Sequence, residues 1–306
     1  MEKRIVSFLP SATELIYELG AQEDLYGVTH ECKFPTEASL KPKVINSVID
    51  SEKLTSSQIN TITCQLLNDK KDIFELNEKN LIDANPDIII TQETCSVCAA
   101  YTNQVNKAIK ILEKKPSVYS MDPHNLEEIF ESVREIGIVL GREVKAQEIL
   151  ESLKKRIQKI KNRVKDKSSK VLALEWLDPF FTAGHWIPEM IKIAGGRNLI
   201  SRAGEHSRRM SFEEVKESNP DIIILMPCGF DVKRTVLEYK SILAKNQAWL
   251  NIDAVKNNKV FAVDANSFFS KPSIRTIEGI EILAKIIHPN EFQKTIVSEN
   301  SFSKIE

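Results

Sequence analysis

Short, unbroken apolar runs alternate with amphipathic helical segments along the chain. The clearest runs occupy residues 5–9, 88–91, 171–174, 222–226 and 260–263. Apolar runs without polar interruption are typical of strands that are covered on both faces of a parallel sheet. The alternation therefore predicts an α/β fold with mainly parallel sheets, in which ligands bind beyond the carboxyl ends of the strands.

Two stretches of the chain echo each other. Residues 76–95, LNEKNLIDANPDIIITQETC, match residues 210–228, MSFEEVKESNPDIIILMPC, in pattern. Each stretch has a short acidic helical segment, then Asn-Pro-Asp, then an apolar run, then a loop that carries cysteine. Glycines that end a helical segment in each half, Gly20 and either Gly195 or Gly196, repeat the correspondence. The echo predicts two similar α/β lobes.

A long helical pattern lies between these halves, over residues 143–165. Its apolar positions recur at helical spacing: Ala146, Ile149, Leu150, Leu153, Ile157, Ile160 and Val164. A helix of this length spans roughly 35 Å, enough to join two lobes as a strut. The alternative is an ordinary surface helix of the second lobe. We expect an N-terminal α/β lobe over residues 1–122, a helical segment over 123–166 that includes the joining helix, and a C-terminal α/β lobe over 167–306.

Charge and length exclude several classes of protein. The 306 residues include 42 Lys+Arg and 43 Asp+Glu, so no basic excess is present to bind nucleic acid. The apolar runs are far shorter than the about 20 residues of a membrane span. The first apolar run begins at residue 5, which leaves no room for a signal peptide and predicts a cytoplasmic protein. An extracytoplasmic location is the alternative if a leader has been removed.

Two loops combine soft metal ligands. His30, Glu31 and Cys32 lie in THECKFP, and Cys95 and Cys98 lie in TQETCSVCAA, each after an apolar run. Thiolate and imidazole suit zinc, copper and other borderline or soft metals, including a cobalt centre. We therefore expect a metal ion at His30, Cys32, Cys95 and Cys98. The alternatives are thiols that only line a pocket, and redox chemistry at Cys95 and Cys98.

Five motifs carry a resemblance to a known family: RIVSFLPSATELIYELG, LYGVTHECKFP, NPDIIITQETC, FTAGHWIPEMIKIAGGRNLI and ANSFFSKPSIR. In order and spacing they resemble the helical-backbone (class III) substrate-binding proteins of ABC transporters. The nearest similarity is to a cysteine-bearing branch of the cobalamin-binding members. The resemblance implies two Rossmann-like lobes joined by one long helix, with a ligand cleft between them.

The same resemblance implies that the ligand is cobalamin or a related corrinoid, bound without catalysis. A corrin ring is a broad, flat plate with amide fringes, so its pocket needs aromatic faces and a few polar groups. For any one of the aromatic candidates, packing in the core is the alternative. The expected ligand-binding residues are His30, Glu31, Cys32, Gln92, Cys95, Cys98, Phe181, His185, Trp186, Cys228, Phe268 and Phe269.

The resemblance also implies a membrane partner. Glu78 and Glu213 lie at corresponding places on the two acidic helical segments, where this family docks one carboxylate of each lobe onto the membrane subunits of an ABC transporter. A solvated surface charge is the alternative for both. Two other functions stay open, a binding protein for a metal ion or metal chelate such as a siderophore, and a thiol-dependent enzyme or redox protein. In the enzyme, His30 or His185 would activate Cys95.

Overall fold

The structure is a computed structural model that describes residues 3–92, 99–164 and 169–305, with only the backbone described for residues 99–102. Contacts between Cα atoms divide the chain into two compact units. Unit 1 comprises Met1–Leu54, Thr61–Pro123 and Glu127–Leu150. Unit 2 comprises Thr55–Asn60, His124–Leu126 and Glu151–Glu306.

Unit 1 contains a six-stranded sheet in the order β4-β3-β2-β1-β5-β6. Its strands are β1 (Ile5–Ser7), β2 (Leu25–Thr29), β3 (Lys43–Ser47), β4 (Phe74–Leu76), β5 (Ile88–Gln92) and β6 (Ser117–Met121). All neighbouring strands pair in parallel except β3 and β4. The carboxyl ends of the parallel strands therefore share one edge of the sheet.

The helices of the first half alternate with these strands. They are α1 (Pro10–Glu18), α2 (Ser56–Asn68), α3 (Glu78–Ala84), α4 (Ala99–Ile111), α5 (Leu126–Leu140) and α6 (Glu143–Lys161). Short 3₁₀ turns occupy Gln22–Asp24, Thr36–Leu40 and Ser51–Lys53. The boundary between the units falls inside α2 and again inside α6.

Unit 2 contains a second sheet in the order β12-β11-β10-β7-β8, with β9 also paired to β7. Its strands are β7 (Lys170–Leu177), β8 (Phe180–Thr182), β9 (Arg197–Asn198), β10 (Ile222–Leu225), β11 (Val260–Val263) and β12 (Phe302–Lys304). The central strands β7, β10 and β11 are parallel, whereas β8 and β12 are antiparallel to their neighbours. Both sheets are thus mixed and mainly parallel, which confirms the predicted fold class.

Further helices belong to unit 2. They are α7 (Ile187–Ile193), α8 (Phe212–Glu217), α9 (Val232–Ile242), α10 (Gln247–Leu250), α11 (Asp253–Lys256), α12 (Ala265–Phe268) and α13 (Thr276–Ile287). Among the described residues, no helix combines the length and the apolar composition that a membrane span requires.

The apolar runs form the centres of the two cores. Val6, Ile89 and Val44 are fully buried in unit 1, and Ile223 and Leu225 are fully buried in unit 2. Strands covered on both faces need no polar positions, and this requirement explains why the sequence runs are unbroken. Burial of this kind stabilises a protein by roughly 1.5–3 kcal/mol for each large aliphatic side chain.

The Asn-Pro-Asp echo has a common structural cause. Asn85 and Asn219 both adopt the left-handed conformation, with φ of 38° and 42°, directly after a short helix. Each following aspartate then binds the start of the first strand of its own sheet. The Asp87 carboxylate accepts from the Arg4 N–H at 2.8 Å, and the Asp221 carboxylate accepts from the Lys170 N–H at 2.7 Å. The motif therefore ends a helix, reverses the chain and fixes two adjacent strands.

The long helix α6 begins at Glu143, as the spacing predicts, but ends at Lys161 rather than near residue 165. The N–H groups of Arg163 and Val164 both donate to the Ile160 carbonyl, so the chain leaves the helix in a tight turn. Gly20 and Gly195 have φ of 71° and 82°, which confirms both as helix stops.

Candidate functional site

The carboxyl end of β2 in unit 1 leads directly into THECKFP. The His30 N–H donates to the Ile45 carbonyl of β3 at 3.0 Å, and its half-buried ring lies 6.0 Å from the ring of Phe74. Burial is the largest influence on His30 and lowers the pKa of its imidazole, while the Glu31 carboxylate opposes that shift. The ring therefore favours its neutral form, which is the form that binds metals. Glu31 itself is exposed.

Cys32 faces the interior of unit 1. Its side chain is fully buried, and its Sγ lies 3.1 Å from the Thr13 Oγ1 and 3.4 Å from the Thr29 Oγ1. A thiol that contacts two hydroxyl groups in this way packs in the core as a small side chain. Its participation in a metal site stays a prediction.

The other half of the predicted metal site lies elsewhere in the sequence. Gln92 is the last residue of β5 and is half-buried at the carboxyl end of that strand. Cys95 and Cys98 lie outside the described residues. The four-residue site of His30, Cys32, Cys95 and Cys98 thus stays a prediction.

In unit 2, two chain segments are clamped together beyond β8. We name residues 202–209, which carry three arginines, the arginine loop. The Thr182 N–H donates to the Arg208 carbonyl at 2.9 Å, and the Arg208 N–H donates to the Thr182 Oγ1 at 3.1 Å. One step further on, the His185 N–H donates to the Glu205 carbonyl at 2.6 Å. The loop therefore holds a fixed position beside FTAGHW.

The arginine loop packs closely against FTAGHW because residue 184 is a glycine. A Cβ atom at this position would lie 2.5 Å from the Glu205 carbonyl oxygen and 2.6 Å from the Ser207 nitrogen. Those are backbone atoms, which cannot rotate away as a flexible side chain can. Only glycine allows the arginine loop to pack here.

A half-buried glutamate contacts the same loop. Glu175, near the end of β7, accepts from the Ser207 hydroxyl at 2.6 Å and from the Gly184 N–H at 3.3 Å. Burial raises the pKa of Glu175, and these two hydrogen bonds oppose the rise. The backbone of Glu175 also contacts the loop after β10, because the Cys228 N–H donates to the Glu175 carbonyl at 3.0 Å.

The aromatic candidates of unit 2 differ in exposure. Trp186 is buried and its Nε1–H donates to the Phe269 carbonyl at 2.9 Å, and the side chains of Phe268 and Phe269 are buried as well. Phe181 is half-buried, and the Arg209 guanidinium lies 5.8 Å from its ring centroid. Phe181 is therefore the least buried of the four aromatic candidates, and ligand contact by all four stays a prediction.

Cys228 follows β10 and is exposed. The next residue joins this loop to the segment after α12, because the Gly229 N–H donates to the Ser270 Oγ at 3.1 Å. Strand β7, the loop after β10 and the segment after α12 are thus connected by hydrogen bonds.

Three imidazoles lie close together. The Nε2 atom of His185 lies 3.2 Å from the Nδ1 atom of His206, and one nitrogen of His124, His185 and His206 each lies within 4.8 Å of the other two. All three belong to unit 2. Sequence reasoning selected His185 but missed His124 and His206, because neither directly follows one of the apolar runs or lies beside a cysteine. Among the histidine, cysteine and acidic side chains of the described residues, these three histidines have ligand atoms close enough to one another to hold an ion.

Glu78 and Glu213 are both exposed in the first turn of a short helix. Asn77 caps α3 and Ser211 caps α8, so Glu78 is the first residue of its helix and Glu213 the second, and the predicted equivalence of the two positions is off by one residue. Glu213 also pairs with Lys216 at 3.0 Å.

Comparison with known proteins shows that the chain is similar to substrate-binding proteins. Residues 5–267 match the family model described as "Periplasmic binding protein". The uncharacterized ABC transporter substrate-binding lipoprotein YvrC of Bacillus subtilis (strain 168) is 27% identical over 301 residues, which cover 95% of this chain and 82% of that protein. The high-affinity heme uptake system protein IsdE of Staphylococcus aureus (strain Newman) is 27% identical over 212 residues, 66% of this chain and 70% of that protein.

Solved structures share the fold. The periplasmic vitamin B12 binding protein BtuF of Vibrio cholerae superimposes with a TM-score of 0.67 at 19% identity. The match covers 96% of this chain and 98% of that one. At this identity, the likeness concerns the fold alone.

Proposed function

The chain belongs to the periplasmic binding protein family, and we propose that it is the solute-binding component of an ABC importer whose ligand is cobalamin or a related corrinoid. Its similarity to YvrC, an ABC transporter substrate-binding lipoprotein, supports the transport role. Its fold likeness to a vitamin B12 binding protein is compatible with a corrinoid ligand. In this role the protein binds and releases its ligand without catalysis.

The observation that carries the proposal is the carboxyl edge of the sheet in unit 2. Strand β7, the loop after β10 and the segment after α12 are joined there by the hydrogen bonds of Glu175, Cys228 and Gly229 described above. Phe181 offers a half-buried aromatic ring at the same edge. An aromatic face beside fixed polar groups is the usual composition of a site for a flat ligand with hydrogen-bonding fringes. A corrin ring with its amide side chains meets that description.

Heme is the second candidate, and the arginine loop favours it. Arg202, Arg208 and Arg209 are all exposed within eight residues of sequence. Guanidinium groups bind carboxylates with paired hydrogen bonds, and heme carries two carboxylates where cobalamin carries amides. The similarity to IsdE, a heme uptake protein, agrees with this alternative.

Gel filtration of the protein after incubation with each ligand distinguishes these two candidate ligands. The full chain is incubated with excess hydroxocobalamin, with excess hemin, or with equal amounts of both, and the visible spectrum of the protein peak is recorded. A corrinoid spectrum in the protein peak of the mixture is the expected result. A heme spectrum in the mixture favours the second candidate, and a colourless protein peak in all three samples contradicts both.

The proposed partner is the membrane part of an ABC transporter. Glu78 and Glu213 support it, because each unit carries an exposed carboxylate in the first turn of a short helix, and each could contact an arginine of a partner subunit. Such contacts orient a complex and speed its formation more than they strengthen it.

A further inference from the structure

We propose that His124, His185 and His206 form a binding site for one divalent transition-metal ion, with Zn²⁺ as the fitting species. This site uses residues other than Cys95 and Cys98, and its ligand is the free ion rather than a macrocycle. It does not depend on the corrinoid proposal.

The distances support coordination by imidazole. With zinc–nitrogen bonds of about 2.0–2.1 Å, two ligand nitrogens of a tetrahedral site lie about 3.3 Å apart. The Nε2 atom of His185 and the Nδ1 atom of His206 are already 3.2 Å apart. His124 completes the triangle, with its nitrogen within 4.8 Å of the other two.

The His206 ring differs in orientation from the other two, whereas the rings of His124 and His185 are stacked at 23° with centroids 5.7 Å apart. The His206 ring stands nearly perpendicular to both others, at 89° to His185 and 85° to His124, with centroids 5.1 Å and 5.2 Å away. The hydrophobic effect does not favour bringing three imidazole nitrogens together. A cation bound among these nitrogens would accept one lone pair from each ring.

The backbone around two of the ligands is fixed before any ion binds. The His185 N–H donates to the Glu205 carbonyl and the Gly204 N–H donates to the His185 carbonyl, at 2.6 Å and 2.9 Å. These bonds, with the close contact at Gly184, hold the arginine loop against FTAGHW. His185 also has φ of 52°, a left-handed conformation that a residue with a Cβ rarely adopts. Strain of this kind is commonly found where a side chain must be aimed.

The third ligand is held from another element. The Leu126 N–H, two residues after His124, donates to the Glu189 carboxylate of α7 at 3.1 Å. This hydrogen bond ties the segment before α5 to the helix that follows His185 and Trp186. Three separate segments of the chain therefore bring one imidazole each to the same place.

The chemistry of the donors selects the metal. Neutral imidazole suits Zn²⁺, Cu²⁺ and Ni²⁺, whereas Mg²⁺ and Ca²⁺ prefer oxygen ligands. Zinc sites with three protein ligands keep a fourth position for water or another donor. His206 is exposed, so that fourth position would face solvent.

Calorimetric titration with the metal alone tests the proposal. The full chain, prepared without a polyhistidine tag and freed of metal with a chelator, is titrated with ZnCl₂ and in parallel with MgCl₂. We expect one Zn²⁺ per chain and no heat with Mg²⁺. Replacing the exposed ligand, His206→Ala, should weaken Zn²⁺ binding by more than about 100-fold, because a residue that only orients a ligand costs about 10- to 100-fold.

Two further variants examine the other ligands. His124→Ala should give a loss like that of His206→Ala. His185→Asn should do so as well, and asparagine tolerates the left-handed backbone at that position. Thermal unfolding without metal verifies that each variant is folded.

These titrations are run in a background that carries Cys95→Ser with Cys98→Ser, which removes the thiols of the other predicted metal site. The matched control in that background is Lys192→Ala, an exposed change on α7. It should leave Zn²⁺ binding unchanged. Loss of Zn²⁺ binding in the control, unchanged binding in His206→Ala, or absence of Zn²⁺ binding in the background chain would overturn the proposal.

Discussion

The carboxylate of Glu175 accepts a hydrogen bond from the hydroxyl group of Ser207, and the two oxygen atoms lie 2.6 Å apart. This contact joins the end of β7 to the arginine loop in the interior of unit 2. Burial raises the pKa of Glu175, so the folded chain holds a proton there at a higher pH than the unfolded chain does. The free energy of unfolding therefore falls as the pH rises from the ordinary glutamate pKa through the raised one.

The change Glu175→Gln should remove that part of the pH dependence. A glutamine oxygen can accept the same two hydrogen bonds, from Ser207 and Gly184, without carrying a charge. Denaturant unfolding between pH 4 and 8 should show that the parent loses stability with rising pH relative to the variant. Glu217→Gln, an exposed change on α8, is the control and should follow the parent. Parallel curves for the parent and Glu175→Gln would contradict the account.

Gly184→Ala should destabilise the chain by about 3 kcal/mol, because its Cβ would overlap two backbone atoms of the arginine loop. Gly204→Ala provides the comparison. Gly204 has φ of 83° and no atom within 4 Å of its Cβ position, so alanine there adds only conformational strain, about 1–2 kcal/mol. Denaturant unfolding of both variants measures the difference. A cost for Gly184→Ala no larger than that for Gly204→Ala would show that the loop moves away freely.

The fold could be predicted because its signals are local and repeated. The run at residues 260–263 coincides with β11, and the Asn-Pro-Asp echo coincides with two helix-to-strand turns. The end of α6 was less predictable, since helical spacing continues to Val164 while the hydrogen bonds to Ile160 already form a turn.

The candidate site was only partly predictable, because it depends on contacts between distant segments. FTAGHW follows a strand, so His185 could be selected from sequence. His124 and His206 come from loops that meet only when unit 2 is folded. Sequence also cannot tell a ligand-facing aromatic residue from a core residue, and the buried Trp186 with its hydrogen bond to Phe269 illustrates this limit.

The cysteines should differ in reactivity. Cys228 is exposed, whereas the Cys32 thiol is fully buried against Thr13 and Thr29. Brief treatment of the folded chain with iodoacetamide should modify Cys228 and spare Cys32, since alkylation needs an accessible thiolate. Peptide mass mapping before and after denaturation gives the result. Equal modification of both in the folded chain would contradict the burial of Cys32.

Reversal of two surface charges tests transporter docking. The double variant Glu78→Lys with Glu213→Lys should bind ligand with unchanged affinity but lose the ability to stimulate ATP hydrolysis by its transporter in vesicles. Two other exposed glutamates, Glu18 in unit 1 and Glu217 in unit 2, provide a control with the same change in net charge. Equal stimulation by the docking variant and the control variant would remove the docking role.

Calorimetric titration of the full chain with hydroxocobalamin tests the central claim most directly. The account predicts binding of one cobalamin per chain. Phe181→Ala should weaken that binding by about tenfold through loss of an aromatic contact, while Tyr119→Ala, an exposed aromatic change in unit 1, should not. Absence of binding heat with hydroxocobalamin, together with no co-elution of cobalamin and protein, would contradict the account.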